Sequence, residues 1–244
     1  MKLVFAHDHR FIPVDGLVYS ESNSPLVMLE PCFPSFAQIH VLGRQGQMPM
    51  AKTVADLDLV SRDPISFSLL PNLSSVGAQL RVRRQVMTAA RECIEAADAV
   101  VARLPSELGL VAARVARALG KPLAVEIVGC AWGAMWDYGN WQGKCYAPIL
   151  WHRVRSAVKE ANFALYVTRR FLQARYPNPG QTMACSDVNL AIQHRATLDR
   201  RLDRIATHEG VLVLGLIGSL RTRHKGIQTV LKALPGIRQR LLGV

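Results

Sequence analysis

The sequence predicts an α/β protein: a Rossmann-like parallel sheet with helices on both faces, followed by the first β-α unit of a second Rossmann-like domain. Short apolar runs alternate with stretches of helical period, joined by short connections, as in a parallel sheet covered on both faces. A polar, arginine-rich break at residues 191–210 is followed by a fresh apolar run, which marks the second unit.

The elements follow in order. Residues 2–7 are an apolar run ending in polar side chains, the pattern of a buried strand. Residues 38–42 form a second such run, and residues 65–70 alternate in the strand manner before Pro71. From 76 to 97 the period becomes helical, with Leu80, Met87, Ala90 and Ile94 on one face and Arg81, Arg84 and Arg91 elsewhere. Residues 98–103 read as a strand. Pro105 then opens a helix, Gly120 caps its end and Lys121-Pro122 stops it. Residues 123–128 form a strand, 147–161 a helix and 163–167 a strand; Thr168 caps a short helix reaching Tyr176, and 182–185 form a further strand. The expected organisation is a first domain over 1–190, a basic linker over 191–210 and an incomplete second domain over 211–244. In that last part residues 211–217 open a strand, and Ile227, Val230, Leu231 and Leu234 recur at helical spacing. One β-α unit is too small to be an independent domain.

Bulk properties narrow the function. Half of the 244 residues are apolar, which excludes a disordered chain, and no apolar run of spanning length occurs. The first residues turn charged too soon for a signal peptide, so the cytoplasm is the expected compartment. Five cysteines without a CxxC pair argue against a disulfide framework or a zinc site. The net charge of +12 points to polyanionic partners. No stacking aromatics interleave with the arginine clusters, so nucleic acid is not expected; a nucleotide diphosphate or an anionic membrane surface fits the charge better. The basic helix around Trp151, Arg153 and Arg155 suits peripheral contact with such a surface, or is a solvated face.

In open parallel sheets ligands sit beyond the carboxyl ends of the strands. The polar residues there are His7, Asp8, His9, Arg103, Glu126 and Thr168. His7 and His9 suit contact with an acceptor or a diphosphate, hydrogen bonding within a loop, or, less well, a metal. Arg103 suits bidentate phosphate binding or simply covers the next helix. Glu126, inside an apolar strand, is either a cleft residue or paired with a basic side chain. Trp132, Trp136, Tyr138, Trp141, Tyr146 and Trp151, with glycines between, look like a long cleft loop whose rings could stack on a sugar, meet lipid or simply pack. A dinucleotide-binding oxidoreductase would carry GxGxxG after a strand, and that motif is absent.

Four stretches carry a family resemblance. They are His7-Asp8-His9-Arg10-Phe11 with Asp15-Gly16-Leu17-Val18-Tyr19-Ser20; Ala102-Arg103-Leu104-Pro105-Ser106-Glu107-Leu108-Gly109 with Gly120-Lys121-Pro122 and Glu126-Ile127-Val128-Gly129; Leu165-Tyr166-Val167-Thr168 with Phe171 to Pro177; and Ile217-Gly218-Ser219-Leu220 with Lys225-Gly226. The chain resembles family 4 glycosyltransferases of the GT-B fold, of the type that builds surface polysaccharides. The resemblance implies a retaining transfer from a nucleotide sugar to a lipid-linked or saccharide acceptor, with no metal and no further cofactor, at the cytoplasmic face of the membrane. It implies donor-diphosphate contacts from Gly16, Ser219 and Lys225, and acceptor or cleft roles for His7, His9, Arg103, Glu126, Trp132 and Trp136. Backbone amides of a glycine loop can approach a diphosphate closely, and a lysine stabilises its charge. The sequence departs from the family at four places, one of them Glu30-Pro31-Cys32-Phe33-Pro34, where members usually run a helix and two prolines break it. Ser219 stands where members often carry arginine, no histidine follows the 123–128 strand, and the glutamate pair of the donor domain is absent. The chain is therefore expected to stop just after its donor half begins and to transfer sugar poorly; the alternative is a non-catalytic fragment that binds an acceptor or a partner.

Overall fold

The computed structural model describes residues 1–22, 24–73, 76–137, 141–186, 194–207, 214–217 and 226–242, without side chains at 24–25, 76–81 and 241–242. Its centre is a sheet of parallel strands: β1 (Lys2–Val14), β3 (Gln38–Gln45), β5 (Ile65–Leu70), β6 (Ala99–Leu104), β7 (Leu123–Ile127), β8 (Phe163–Tyr166) and β9 (Gln181–Ala184). Their spatial order is β5-β3-β1-β6-β7-β8-β9. The chain thus winds outward from β1 first in one direction and then in the other, the doubly wound Rossmann-like topology, and the switch lies between β1 and β6.

The first strand is twice as long as the sequence suggested. It runs to Val14, with its register against β3 shifting between Ala6 and Arg10, and folds back as β2 (Leu17–Ser20), which pairs with the short β4 (Asp58–Leu59). Asp15 and Gly16 form the two-residue turn, both at positive φ (48° and 79°). Asp-Gly is the residue pair such a hairpin turn needs.

One face of the sheet is covered by α2 (Val76–Glu95), α3 (Glu107–Ala118) and α5 (Trp141–Glu160), around a core that includes Val4, Ala6, Val100, Ala102, Leu104, Val125 and Ile127. The other face near β1, β3 and β5 is closed by α1 (Ser24–Leu29) and a 3-10 turn at Glu30–Cys32, around Leu3, Phe5, Phe11, Leu29, Ile39 and Val41. The two prolines at 31 and 34 limit the segment to that single turn, as expected from ring sterics.

Helix α3 shows how local signals set an element. The Ser106 hydroxyl accepts the Gly109 amide at its start and donates to the Arg103 carbonyl (2.8 Å), tying cap to strand. Gly120 at φ 63° ends it, with the Lys121 amide reaching the Ala116 carbonyl (2.9 Å) and the Gly120 amide the Arg117 carbonyl (3.1 Å), a Schellman motif. Gly109 has a further reason: a Cβ there would sit 2.4 Å from the Arg103 carbonyl oxygen, so only glycine lets α3 lie this close to β6.

The aromatic stretch expected as a cleft loop is instead helical. Helix α4 (Ala131–Trp136) and α5 hold it, and Tyr138 lies outside the described residues. Helix α6 (Phe171–Arg175) follows β8, with the Thr168 hydroxyl accepting the Leu172 amide (3.0 Å). The stretch expected as a basic linker folds over most of its length into α7 (Arg195–Ala206), and a last helix, α8, spans Ile227–Leu242. Residues 214–217 join no sheet among the described residues.

Candidate functional site

The site is built where β1 and β6 adjoin. Backbone register places Ala6 opposite Ala102 and Arg103 opposite Glu126, so His7 follows β1 into the space beside Arg103. Arg103 Nη1 donates to Glu126 Oε1 at 2.7 Å, and their side chains are only 11% and 14% exposed. Two adjacent strands thereby present a desolvated cation and anion on one face. Of the alternatives open for Glu126, the structure selects pairing with a base, and that base is itself a candidate.

On the same side of β1, His7, His9 and Phe11 form a column of rings. His7 stacks on His9 (centroids 5.5 Å apart, 22° between planes), and His9 meets Phe11 edge-on at 5.0 Å. His9 Nε2 shares a hydrogen bond with the Ser20 hydroxyl (2.7 Å), so the β1–β2 hairpin holds its ring. His7 Nδ1 is buried and has no hydrogen-bond partner among the described residues. Burial, helped by the nearby charges of Arg103, His9 and Arg44, lowers the His7 pKa to about 3. Burial also lowers His9, with Arg44 and Arg10 adding to it. Both imidazoles are therefore neutral near pH 7, and His7 is too weak a base to take a proton there; what it offers is a hydrogen bond.

Asp8 points to the opposite face. Arg44 Nε lies 3.5 Å from Asp8 Oδ1, its Nη1 donates to Asn72 Oδ1 (3.0 Å), and its Nη2 donates to the Asp8 carbonyl (3.3 Å). Burial raises the Asp8 pKa, Arg44 opposes that rise and Glu107 adds to it. Glu107, in the first turn of α3, accepts both Nη1 and Nη2 of Arg153 at 2.9 Å and the Tyr146 hydroxyl. Fixed donors and acceptors of both signs thus stand at the strand ends, on both faces of the sheet.

The structure brings together His7, His9, Arg103 and Glu126 from the strand-end residues. Thr168 acts as a helix cap. Gly16 stands apart: it is the hairpin turn, roughly 20 Å further along β1 than His7 at strand rise, and a Cβ there would meet nothing within 4 Å. Trp132 and Trp136 stack on each other (5.3 Å, 19°), Trp136 is 43% exposed, and Lys144 Nζ sits 5.7 Å from its ring. Their helix is fixed from below: the Ala131 amide donates to the Tyr176 hydroxyl (2.8 Å), and the Tyr166 hydroxyl donates to the Tyr176 carbonyl (2.7 Å). Ser219 and Lys225 lie outside the described residues. The helix marked for an anionic surface uses its arginines internally, Arg153 on Glu107 and Arg155 on the Arg175 carbonyl (2.6 Å).

Sequence reasoning passed over Arg44, Asn72 and Glu107. Arg44 sits near the end of β3, Asn72 just past β5, and Glu107 follows the cap of α3. The rule that selected Arg103 would have found Arg44 had β3 been drawn to its full length; Asn72 stands two residues past a correctly bounded β5, and Glu107 belongs to a helix, which the rule does not cover.

Among the described residues, no three or more histidine, cysteine, aspartate or glutamate side chains gather as a metal site would require. No described helix is long and apolar enough to cross a membrane.

The fold and site define a doubly wound α/β domain with a cluster of polar residues at the topological switch point. No protein-family model matches the chain. It is 28% identical over 176 residues to Protein CapJ of Staphylococcus aureus, a match covering 72% of this chain and 43% of CapJ. The match thus takes in less than half of that relative's length. Among solved structures it is similar to Phytolacca americana UGT2 complexed with UDP-2fluoro-glucose and pterostilbene, at 15% identity and a TM-score of 0.48, covering 82% of this chain and 56% of that one. It is likewise similar to a ugt transferase from Siraitia grosvenorii in complex with UDP, at 16% identity and a TM-score of 0.46, covering 90% and 60%.

Proposed function

We propose that this chain is the acceptor-side part of a retaining, GT-B, family 4-type glycosyltransferase, moving a sugar from a nucleotide sugar to a lipid-linked or saccharide acceptor in surface polysaccharide synthesis. The observation that carries the reading is the convergence of His7, Arg103 and Glu126 at the β1–β6 switch point, on residues drawn from the stretches that resemble the family. Arg103, oriented by Glu126, is a fixed cation for a phosphate of donor or acceptor. The neutral, unpartnered His7 Nδ1 suits a sugar hydroxyl, since a buried polar atom gains from a partner. The exposed Trp136 ring beside Lys144 offers a face for a sugar or an aliphatic acceptor. In this reading Lys225, Ser219 and Gly16 serve the donor diphosphate, no metal takes part, and contact with the inner membrane surface is peripheral.

The test is melting temperature against a panel of UDP- and GDP-sugars. A ligand at a hundred times its Kd stabilises the native state by about 2.7 kcal/mol. The expected result is a rise with one nucleotide sugar that Arg103→Gln abolishes. No rise with any member of the panel, or a rise indifferent to Arg103, overturns the reading.

A further inference from the structure

Away from the strand ends, α2, α3 and α5 enclose a cavity of about 250 Å³ that opens to solvent. Its polar lining is unbalanced: Arg83, Arg114, Arg117 and Arg153 against the single carboxylate of Glu160. Two of these cations are already neutralised, Arg117 by Glu160 and Arg153 by Glu107. Arg83 and Arg114, both exposed, make no ion pair or hydrogen bond among the described residues. Beneath them the lining is apolar, with Met87, Leu110, Val111 and Ala157. The volume is on the order of eight water molecules' share of the liquid, too much for a bare ion and enough for a head with a short tail.

An apolar floor under two uncompensated guanidiniums selects a particular chemistry. A guanidinium takes phosphate oxygens through paired, charge-assisted hydrogen bonds, and methylenes gain by leaving water for the floor. A neutral apolar ligand would leave the arginines desolvated, and a free phosphate would leave the floor wet. We propose that this cavity binds an anionic amphiphile, a phosphate head held by Arg83 and Arg114 with an aliphatic tail on Met87, Leu110 and Val111. The proposal does not rest on the transferase reading, because the cavity lies in the helix layer and its lining contains none of His7, His9, Arg103 and Glu126.

Calorimetric titration of the full chain with hexyl phosphate at low salt tests it. The expected result is saturable binding at least about tenfold tighter than for inorganic phosphate or hexyl glucoside, since one lacks the tail and the other the charge. Arg83→Gln/Arg114→Gln should weaken binding by about tenfold or more, while Arg91→Gln, an exposed arginine of α2 outside the lining, leaves it unchanged. Ala157→Leu, which fills the cavity, should block binding. Equal affinity for hexyl glucoside, or affinity unmoved by the double arginine variant, overturns the proposal. Flotation with phosphatidylglycerol vesicles separates the sources of the ligand: flotation lost in the double variant identifies a bilayer phospholipid, and hexyl phosphate binding without flotation identifies a free phosphorylated amphiphile.

Discussion

Helices α3 and α7 are both twelve residues long and both amphipathic, yet α3 buries eight residues and α7 none. Leu198, Leu202 and Ile205 recur at helical spacing along α7 and stay 57%, 52% and 57% exposed. Leu108, Val111, Ala112 and Val115 of α3 are buried against β1, β6 and β7. Amphipathic period gives a helix a face that can be buried. It does not supply the surface to bury it on, and most helical stability in proteins comes from that surface. The candidate site follows the same division: it stands where α3 is anchored, not where α7 is.

The largest expected effect comes from acid, which acts at the anchored end. Between its ordinary value of 6.5 and about 3, His7 is protonated in the unfolded chain and neutral in the folded one. The unfolded state then binds more protons, so stability falls as pH drops through that window, by roughly 5 kcal/mol at most from this residue. His9 and His40 are shifted down by burial and act in the same direction; Asp8, shifted up by burial, acts oppositely above the ordinary carboxylate value. Urea midpoints from pH 7 to 4 should decline steeply, and His7→Gln should flatten the decline. An unchanged slope in that variant refutes the assignment.

Core truncation sharpens the contrast between the two helices. Leu108→Ala in α3 should cost about 3 kcal/mol, because it empties a packed site. Leu202→Ala in α7 should stay within about 0.5 kcal/mol. Equal losses in urea unfolding would mean that α7 is buried in solution. The smallest expected effect is at the caps. Ser106→Ala should cost about 1 kcal/mol, since it removes a hydroxyl that serves both helix and strand. His194→Ala removes the acceptor of a 3.2 Å bond from the Ala196 amide on a fully exposed helix, and the global melting temperature should not move.

Much of the fold was legible because its signals are local. The strand runs of the first domain, the Gly120 end and the Thr168 hydroxyl at the start of α6 each depend on neighbours a few residues away and lie close to where they were expected, whereas Pro105, expected inside the first turn of α3, precedes its Ser106 cap. The hairpin was missed because His7-Asp8-His9-Arg10 interrupts the apolar run, and a strand passing from core to crevice carries polar residues without ending. The aromatic stretch was read as a loop from its glycines, which α4 and α5 tolerate once Tyr176 and the neighbouring helices fix them. For the site, the strand-end rule identified His7, His9, Arg103 and Glu126, but not Arg44 or Glu107.

By itself the sequence determined where the parallel strands of the first domain and helices α2 and α3 lie, where most of them stop, and that a basic chain carries histidines and arginines at strand ends. Periodicity, caps and turns are short-range properties, and the residues express them wherever the segment lies. Only the tertiary structure decided that β1 lies between β3 and β6, that Arg103 meets Glu126, and that His7 is buried deeply enough to stay neutral. Those facts join residues tens of positions apart, and their energies arise from shared burial, which exists only once the strands are side by side.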